Sequence, residues 1–348
     1  MNTAGEFSII SRFRAMAKGG RGVVVGVGDD AAVLDPASLG PGQLLATVDM
    51  MVEGVHFDRR FTGPVTCGRR AAAVSISDIS AMGGDPLWLL CTLGLTGGEA
   101  AGWAEAFFRG LQEEAARHGA SVVGGDMVRS PGGILADVTV LGRAGAPILR
   151  SGARPGDVIA VTGALGGAAA GLAWLQDRVG RGEPLPAEGP DGSIAWPGDI
   201  SPVIREAITT YLSPSPRVAA GIALARTGRV HAMIDISDGL SSELWHICQE
   251  SGTGALVTSV PVSAGAVAVS RLLGSNPLHW AWHGGEDYEL LFTAGPEDLP
   301  LIREALAGAG VNLQILGEIR PAAEGVRYRD GEGMLHDIRA LGWDHFRA

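Results

Sequence analysis

Seven aspartates stand in glycine-rich, strand-end or apolar settings in this sequence of 348 residues. Strands that end at one edge of a sheet would bring such side chains together, and unpaired carboxylates repel one another strongly at short range. Taken singly, each aspartate has another interpretation as a helix cap or a turn residue. Taken together, they predict a cation site formed by Asp29, Asp30, Asp49, Asp78, Asp126, Asp235 and Asp238.

Asp78 carries the most specific of these signals because it lies in a predicted helix from about residue 68 to 82. Ala71 and Val74 precede it by seven and four residues, so the three side chains share one helix face. A carboxylate on an apolar face is costly to bury unless a cation or hydrogen-bond donors meet it. The alternative to a metal is an ion pair with Arg69 or Arg70.

The residue types also indicate which cation and which ligand to expect. Oxygen ligands without a cluster of His or Cys indicate Mg²⁺ or Ca²⁺ rather than zinc, and no loop of EF-hand spacing occurs. Mg²⁺ usually keeps waters and substrate phosphate oxygens among its ligands, so phosphates are the predicted partners. Lys18 is the only lysine, which excludes the usual lysine-containing phosphate loop.

Two further segments are candidates for binding phosphate. Residues 162–171, TGALGGAAAG, have the order strand, glycine turn and helix, which can point backbone amides at an anion or simply permit tight packing. Arg150 could place its guanidinium on phosphate oxygens, or lie in solvent as a linker residue. Motifs of metalloproteases, serine hydrolases and dinucleotide-binding enzymes do not occur. Metal-dependent phosphoryl transfer is therefore the favoured chemistry.

The elements that must position these groups follow a mixed α/β pattern. Strands alternate with helices in the first half, and a second α/β series begins with the strand at 158–163. The segment 145–157, rich in Gly, Pro and Arg, is predicted to join two domains, 1–148 and 149–348. Residues 180–202 are rich in proline and glycine, which predicts a long surface loop and favours a mobile insertion over a lid.

Composition excludes several classes of partner. The 27 basic and 38 acidic residues give a net charge of −11, without a basic cluster that would bind nucleic acid or an anionic membrane. The sequence shows no secretory signal and no apolar run of transmembrane length, so we expect a cytoplasmic protein. Cys67, Cys91 and Cys248 are widely spaced, which is typical of reduced core thiols.

Nine motifs, in order, resemble those of the thiamine-monophosphate kinase family. The resemblance extends from Gly5 to Phe346, nearly the whole chain. The wider superfamily includes aminoimidazole ribonucleotide synthetase, selenophosphate synthetase and a hydrogenase-maturation dehydratase. The motifs are GEFSIISRF, GVGDDAAVL, TVDMMVEGVHF, SISDISAMGGDP, VVGGDMVRSP, LRSGARPGD, AMIDISDGLSSEL, GGEDYELLF and GWDHF.

The resemblance implies a two-domain fold of the aminoimidazole ribonucleotide synthetase type. The N-terminal domain would bind ATP and Mg²⁺ and form a homodimer whose sheets close a barrel across the interface, and the C-terminal α/β domain would complete the site. The implied reaction is direct in-line transfer of the γ-phosphate of ATP to thiamine monophosphate, assisted by several Mg²⁺ ions, giving thiamine diphosphate. We expect no catalytic acid or base, because a phosphate monoester with a second pKa of about 6 is mostly ionised at neutral pH.

The same resemblance assigns residues by motif. Val48, Met50 and Met127 stand where the family commonly has hydroxyl residues, which leaves a backbone carbonyl as the metal contact at Val48 and puts side-chain ligation at Met50 and Met127 in doubt. The implied metal ligands are Asp29, Asp30, Thr47, Val48, Asp49, Asp78, Asp126, Asp235 and Asp238. The implied nucleotide contacts are Gly125, Asp126, Arg150 and Ser237. The implied thiamine-monophosphate contacts are His56, His283, Glu286 and Trp343.

Two rival interpretations remain at this stage. A sister ATP-dependent synthetase would keep the fold and change the acceptor. The selenium and maturation enzymes of the superfamily are disfavoured, since the sequence lacks their N-terminal and C-terminal cysteines, whereas aminoimidazole ribonucleotide synthetase chemistry stays open. A non-catalytic nucleotide or Mg²⁺ sensor is the alternative from another class.

Overall fold

The computed structural model describes residues 12–27, 31–99 and 102–343, which divide into two compact units. The change of unit between Gly145 and Ala146 falls in the segment predicted to join two domains. The grouping nevertheless differs from a single division after residue 148, because a later segment returns to the first unit. The first unit comprises 1–79, 85–145 and 183–199, and the second 80–84, 146–182 and 200–348.

The first unit is built on a four-stranded sheet and two long helices, and residues 12–16 are also helical. The sheet order is β3, β6, β4, β5, and only the β4–β5 pair is parallel. A separate pair of short strands, β1 (Val23–Val25) and β2 (Val33–Leu34), precedes it. The sheet and its helices are β3 (Gln43–Val52), α1 (Pro64–Ala81), β4 (Asp85–Leu95), α2 (Trp103–Arg117), β5 (Ser121–Arg129) and β6 (Leu135–Ala144).

Helices α1 and α2 pack closely because each has a glycine at the contact. A Cβ on Gly68 of α1 would lie 2.0 Å from the carbonyl oxygen of Phe107, and one on Gly110 of α2 would lie 2.0 Å from that of Val65. Any larger residue would force the helices apart. The helices thereby cover one face of the sheet, where Leu45 is buried.

The other face of the sheet is open along β3. Strand side chains alternate between faces, and Leu44, Val48 and Met50 are 55%, 56% and 51% exposed. Thr47 and Asp49, at the alternate positions, are only half-exposed and point to the helix side. Strand β3 therefore presents an apolar row outward and its polar site residues inward.

Residues 183–199 belong to the first unit and hydrogen-bond to its helix α1, while the mobility expected of this insertion stays a prediction. The segment forms a short hairpin, β8 (Ala187–Glu188) with β9 (Ile194–Ala195). The Glu188 carboxylate accepts hydrogen bonds from the first amides of α1, Val65 N at 2.9 Å and Thr66 N at 2.6 Å. Arg69 donates to the carbonyl of Gly192 at 3.0 Å. Proline and glycine prevent a helix here, but they leave the backbone carbonyls free to pair.

We expect Glu188→Ala to lower the free energy of unfolding by about 1–2 kcal/mol, since it removes an anionic acceptor from a helix N-terminus. Glu188→Gln should lose less, because the amide oxygen still accepts a hydrogen bond. Urea unfolding of the three proteins measures both effects. Glu206→Ala, at an exposed position, serves as the control. An unchanged midpoint for Glu188→Ala would show that the hairpin does not stabilise α1.

The second unit contains a seven-stranded sheet flanked by helices. Its strand order is β10, β12, β7, β13, β11, β14, β15, and all neighbours are antiparallel except β11 and β14. The strands are β7 (Val158–Val161), β10 (Val230–Asp235), β11 (Thr253–Val257), β12 (Leu290–Ala294), β13 (Gln314–Pro321), β14 (Val326–Arg329) and β15 (Leu335–Asp337). The helices are α3 (Gly167–Arg181), α4 (Pro202–Leu212), α5 (Val218–Thr227), α6 (Leu240–Ser251), α7 (Ala264–Leu273), α8 (Pro277–His283) and α9 (Leu299–Gly308).

Helix α6 shows how the sequence determines an element of this unit. It packs Leu240, Leu244 and Ile247 into the core against the sheet, at the spacing of one helix face. Gly252 ends the helix with a φ of 64°, the left-handed conformation that glycine adopts without a steric penalty. The predicted end of this helix is therefore confirmed. In the described part of the chain, none of the helices is long and apolar enough to cross a membrane.

The three cysteines are free and buried, in agreement with the prediction of core thiols. Burial raises the pKa of Cys91 to about 12 and that of Cys248 to about 11. These thiols are therefore protonated at neutral pH, and they carry no nucleophilic role.

Candidate functional site

In the first unit, the structure brings three predicted metal ligands to the helix side of β3. The Thr47 hydroxyl donates a hydrogen bond to Oδ2 of Asp78 on α1, at 2.5 Å. Asp49 lies two residues further along the same strand face. Asp78 is half-buried on an otherwise buried stretch of α1, as its spacing predicted. The suggested partner Arg69 pairs instead with Glu113, at 2.6 Å.

Asp126 and Gly125 lie on the edge strand β5 of the same sheet. A Cβ on Gly125 would lie 1.9 Å from the carbonyl oxygen of Cys91, so only glycine permits the close approach of β4 and β5 here. Asp126 is exposed, and its Oδ1 accepts a hydrogen bond from the amide of Met127 at 2.8 Å. Gly125 thus sets the strand spacing beside an exposed carboxylate.

Two of the aspartates do not stand at strand ends, which corrects the sequence interpretation. Asp49 lies inside β3, which continues to Val52, and Asp126 lies inside β5, which continues to Arg129. Both strands extend because they pair along their length, Asp49 opposite Val138 and Asp126 opposite Thr92. The polar residues are positioned by strand alternation rather than by a shared sheet edge. Asp235, by contrast, is the last residue of β10, as predicted.

His56, a predicted contact of thiamine monophosphate, lies in the turn after β3. Its Nδ1 accepts a hydrogen bond from the amide of Val52 at 3.0 Å, which assigns the ring proton to Nε2. The ring is half-buried. The turn therefore presents a neutral imidazole in one tautomer.

In the second unit, two motif segments pair through their backbones. Asp235 is buried, and the chain continues through Ser237 and Asp238 toward α6. The amide of Glu286 donates to the carbonyl of Ser237 at 2.7 Å, and that of Tyr288 to Ile236 at 2.9 Å. Residues predicted to contact the metal, the nucleotide and thiamine monophosphate are thereby held on adjacent stretches of chain.

Backbone conformation in the second of these segments is strained. Glu286 and Tyr288 have φ values of 71° and 51°, a region that residues other than glycine rarely adopt. A Cβ on Gly285 would lie 2.0 Å from the carbonyl oxygen of Ser237. Such strain is found mostly at functional sites, where the surrounding structure enforces it.

His283 and Trp343, also predicted to contact thiamine monophosphate, lie around the same turn. The Ser241 hydroxyl is hydrogen-bonded to Nδ1 of His283 at 2.9 Å. The amide of Trp343 donates to the carbonyl of Asp238 at 3.1 Å, and the Trp343 residue is 57% exposed. Burial, and then the neighbouring His279, lower the pKa of His283. His283 is therefore a neutral ring at pH 7.

Glu243 is a buried carboxylate at this turn that sequence reasoning missed. It is 2% exposed, and its Oε1 accepts hydrogen bonds from the amide of Asp238 at 3.0 Å and the hydroxyl of Ser237 at 3.2 Å. Burial raises the pKa of Glu243 to about 8. The signal for it was present in SDGLSSEL, because a Glu in the first turn of a helix often bonds back to the preceding backbone.

The glycine turn at 162–171 does not offer its amides to phosphate. The Asp287 carboxylate accepts hydrogen bonds from Gly166 N at 2.6 Å and Ala168 N at 3.0 Å, at the start of α3. Burial outweighs these two bonds and raises the pKa of Asp287 to about 7. An internal carboxylate thus occupies this helix N-terminus, which neither interpretation of the sequence included. The tight packing of the alternative is also present, because a Cβ on Gly171 would lie 2.2 Å from the carbonyl oxygen of Ala207.

The remaining predicted residues are not gathered into a metal centre. Asp29 and Asp30 lie outside the described residues, and Arg150 and Val48 are exposed. Within 12–27, 31–99 and 102–343, no three His, Cys, Asp or Glu side chains form a metal-binding group. The donors available in each unit are hydroxyl and carboxylate oxygens, which is the donor set that Mg²⁺ prefers.

Comparison with known proteins identifies the class. Residues 28–144 match the model of the AIR synthase related protein N-terminal domain, and residues 154–329 match the model of its C-terminal domain. The fold and its two-domain organisation are those of this class, which confirms the predicted fold. The barrel across a dimer stays a prediction.

Individual relatives and solved structures show to which family within this class the chain belongs. The thiamine-monophosphate kinase of Salmonella typhimurium is 36% identical over 346 residues, 98% of each chain. The crystal structure of thiamine-monophosphate kinase from Stenotrophomonas maltophilia K279a is 32% identical, with a TM-score of 0.77 over 93% of this chain and 96% of that one. A structure of AaThiL complexed with AMPPCP and TMP is 28% identical, with a TM-score of 0.74 over 99% and 98%. The chain belongs to the thiamine-monophosphate kinase family.

Proposed function

We propose that this protein transfers the γ-phosphate of ATP to thiamine monophosphate and so forms thiamine diphosphate. The observation that carries the proposal is the turn around Asp238. Ser237, Asp238, His283, Glu286 and Trp343 occupy their family motif positions, and the folded chain draws them together there. The similarity to thiamine-monophosphate kinases over 98% of the chain supports the same reaction.

We further propose Mg²⁺ as the metal, held by Asp49, Asp78 and Asp126 in the first unit and by Asp235 and Asp238 in the second. Asp29 and Asp30 are proposed to join them. When bound, Mg²⁺ neutralises the charge of the triphosphate and of the phosphoryl group in transfer. The protein has a net charge of −11 and would otherwise repel ATP.

The chain's own contribution to the reaction is positioning. Gly125, Arg150 and Ser237 are proposed to contact the nucleotide, and the acceptor phosphate needs no base because it is already ionised. The thiazolium ring of the acceptor carries a positive charge, and the exposed indole of Trp343 offers a face that attracts cations. His283 is neutral and does not repel that ring. Placement of two phosphates in line accounts for most of the catalysis.

His56→Ala should raise the KM for thiamine monophosphate about tenfold, the effect of losing roughly one hydrogen bond. The affinity for ATP should stay the same, because the substitution removes an acceptor contact alone. His336→Ala, on a hairpin of the second unit where His336 bonds Asp330, is the matched control. Steady-state kinetics with each substrate varied in turn gives both constants. A large loss of ATP affinity with an unchanged acceptor KM would contradict the assignment.

We also propose a cytoplasmic homodimer in which a second copy covers the open sheet face. Leu44, Val48 and Met50 form an exposed apolar row there, and such rows in single chains commonly mark contact surfaces. Light scattering of the pure protein distinguishes one chain of 35.8 kDa from two. A monomer at micromolar concentration would contradict the dimer.

The function is tested by incubating the pure protein with ATP, Mg²⁺ and thiamine monophosphate, and separating products by chromatography. Free thiamine and the aminoimidazole precursor serve as parallel acceptors. Thiamine diphosphate formed only from the monophosphate is the expected result. Turnover of the aminoimidazole precursor would identify a sister synthetase. ATP binding without ADP from any acceptor would indicate a sensor.

A further inference from the structure

The turn from Asp235 to Gly239 has no side-chain cap of its own. The residue directly before α6, at its N-cap, is Gly239, which has no side chain to accept from the helix amides. Its φ of 117° is accessible to glycine and to few other residues, and a Cβ there would lie 2.9 Å from the backbone of His283. The N-cap residue itself therefore fixes the turn by no side-chain hydrogen bond.

Glu243, in the first turn of α6, bonds back to this turn. Its Oε1 takes hydrogen bonds from the Asp238 amide and the Ser237 hydroxyl, at 3.0 and 3.2 Å. Its other carboxylate oxygen, Oε2, has no hydrogen-bond partner within the described part of the chain. A buried carboxyl group with one unpaired oxygen is costly, so this side chain is poorly explained by stability alone.

The proposed contacts of the metal, the nucleotide and thiamine monophosphate all belong to, or are bonded to, the Ser237–Asp238 turn that Glu243 holds. The Ser237 carbonyl accepts a hydrogen bond from the Glu286 amide, and the Asp238 carbonyl accepts one from the Trp343 amide. Both proposed contacts of thiamine monophosphate, Glu286 and Trp343, are therefore bonded to this turn. The Ser237 hydroxyl and the Asp238 carboxylate are the proposed nucleotide and metal contacts. A shift of the turn would therefore displace the metal, nucleotide and acceptor groups together.

We propose that Glu243 is a positioning residue, whose Oε1 holds the Ser237–Asp238 turn in the shape that binds Mg²⁺ and ATP. This inference rests on the proposed function, because it assigns Ser237 and Asp238 to that site. Glu243 acts through these residues and touches no reacting atom. Acceptance of two hydrogen bonds is its role, and its charge is secondary.

Substitutions at this position separate positioning from general stability. Glu243→Ala should raise the Mg²⁺ concentration for half-maximal activity, and the KM for ATP, by tenfold or more. Glu243→Gln should stay within about threefold of the parent protein, because its amide oxygen can accept both bonds. Glu243→Asp is one methylene shorter, cannot reach both donors and should resemble Glu243→Ala. Glu243→Asp takes the place of Glu243→Ala in these measurements if the alanine variant does not fold.

Leu244→Ala is the matched control, since Leu244 is the next residue of α6 and is fully buried in the core. It should lower the unfolding midpoint and leave the Mg²⁺ and ATP constants unchanged. Activity lost in Glu243→Ala only in proportion to the folded fraction, with parental Mg²⁺ and ATP constants, would overturn the proposal. Glu243→Gln as impaired as Glu243→Ala would also overturn it.

Calorimetric titration of ATP and Mg²⁺, without acceptor, keeps this inference separate from the proposed function. Parent protein that binds ATP but forms no thiamine diphosphate would refute the function. In that case the affinities of the Glu243 variants still decide the positioning role: equal affinities for parent and Glu243→Ala contradict it, and weakened affinity restored by Glu243→Gln supports it.

Discussion

Asp78→Asn should lower the turnover number for thiamine diphosphate formation by about 10²- to 10³-fold, the usual loss when one preorganised group that stabilises transition-state charge is removed. Asparagine has the same shape and can still accept the hydrogen bond of the Thr47 hydroxyl. What it removes is the negative charge that would hold Mg²⁺. Asp49→Asn, on the same face of β3, should behave alike.

The fold should survive this substitution, since Asp78 is half-buried and its replacement is isosteric. Circular dichroism and the unfolding midpoint check this point. Asp177→Asn, on α3 where Asp177 pairs with Arg181, is the control that changes a carboxylate away from the site. Near-normal turnover of Asp78→Asn at saturating Mg²⁺ would contradict the metal assignment.

Arg217→Ala is expected to lower the free energy of unfolding by about 3–5 kcal/mol, the cost of leaving a buried charge without its partner. Glu289 is 5% exposed, and its Oε2 accepts hydrogen bonds from Arg217 Nε at 2.8 Å and from the Thr162 hydroxyl at 2.6 Å. Without the Arg217 guanidinium, the Thr162 hydroxyl would be the side-chain donor left to the buried Glu289 carboxylate. Because Glu289 directly follows the strained segment at Glu286–Tyr288, the acceptor KM should also rise.

Chemical unfolding of Arg217→Ala beside Arg226→Ala measures the stability effect, because Arg226 is an exposed arginine of the neighbouring helix α5. Glu289→Gln combined with Arg217→Ala should recover part of the loss, since no uncompensated charge then stays buried. An Arg217→Ala protein within about 1 kcal/mol of the parent would mean that the pair behaves as a surface ion pair.

Local patterns in the sequence were sufficient where the structure is determined by neighbours along the chain. The spacing of Ala71, Val74 and Asp78 placed the carboxylate on a buried helix face, and Gly252 marked the end of α6. The motif resemblance predicted Glu286 and Trp343 as contacts of thiamine monophosphate; the structure bonds the backbone of both to the Ser237–Asp238 turn, and their contact with the substrate stays a prediction. These features depend on periodicity or on short motifs, which a single sequence displays.

Features that depend on distant partners were missed. Asp287 lies 121 residues from Gly166, whose amide it accepts, so the turn at 162–171 alone could not show that its amides were occupied. Glu188 lies 123 residues from Val65, and its segment looked like a free insertion for the same reason. Asp49 and Asp126 were misplaced at strand ends because the extent of a strand depends on its pairing with neighbours.

The most direct test of the account uses ATP labelled with ¹⁸O in its γ-phosphate, together with Mg²⁺ and thiamine monophosphate. Mass spectrometry then follows the label into each product. The account predicts that labelled oxygen appears in the terminal phosphate of thiamine diphosphate, with one ADP formed for each product molecule. Label found only in inorganic phosphate, with thiamine monophosphate unchanged, would contradict direct transfer between ATP and this acceptor.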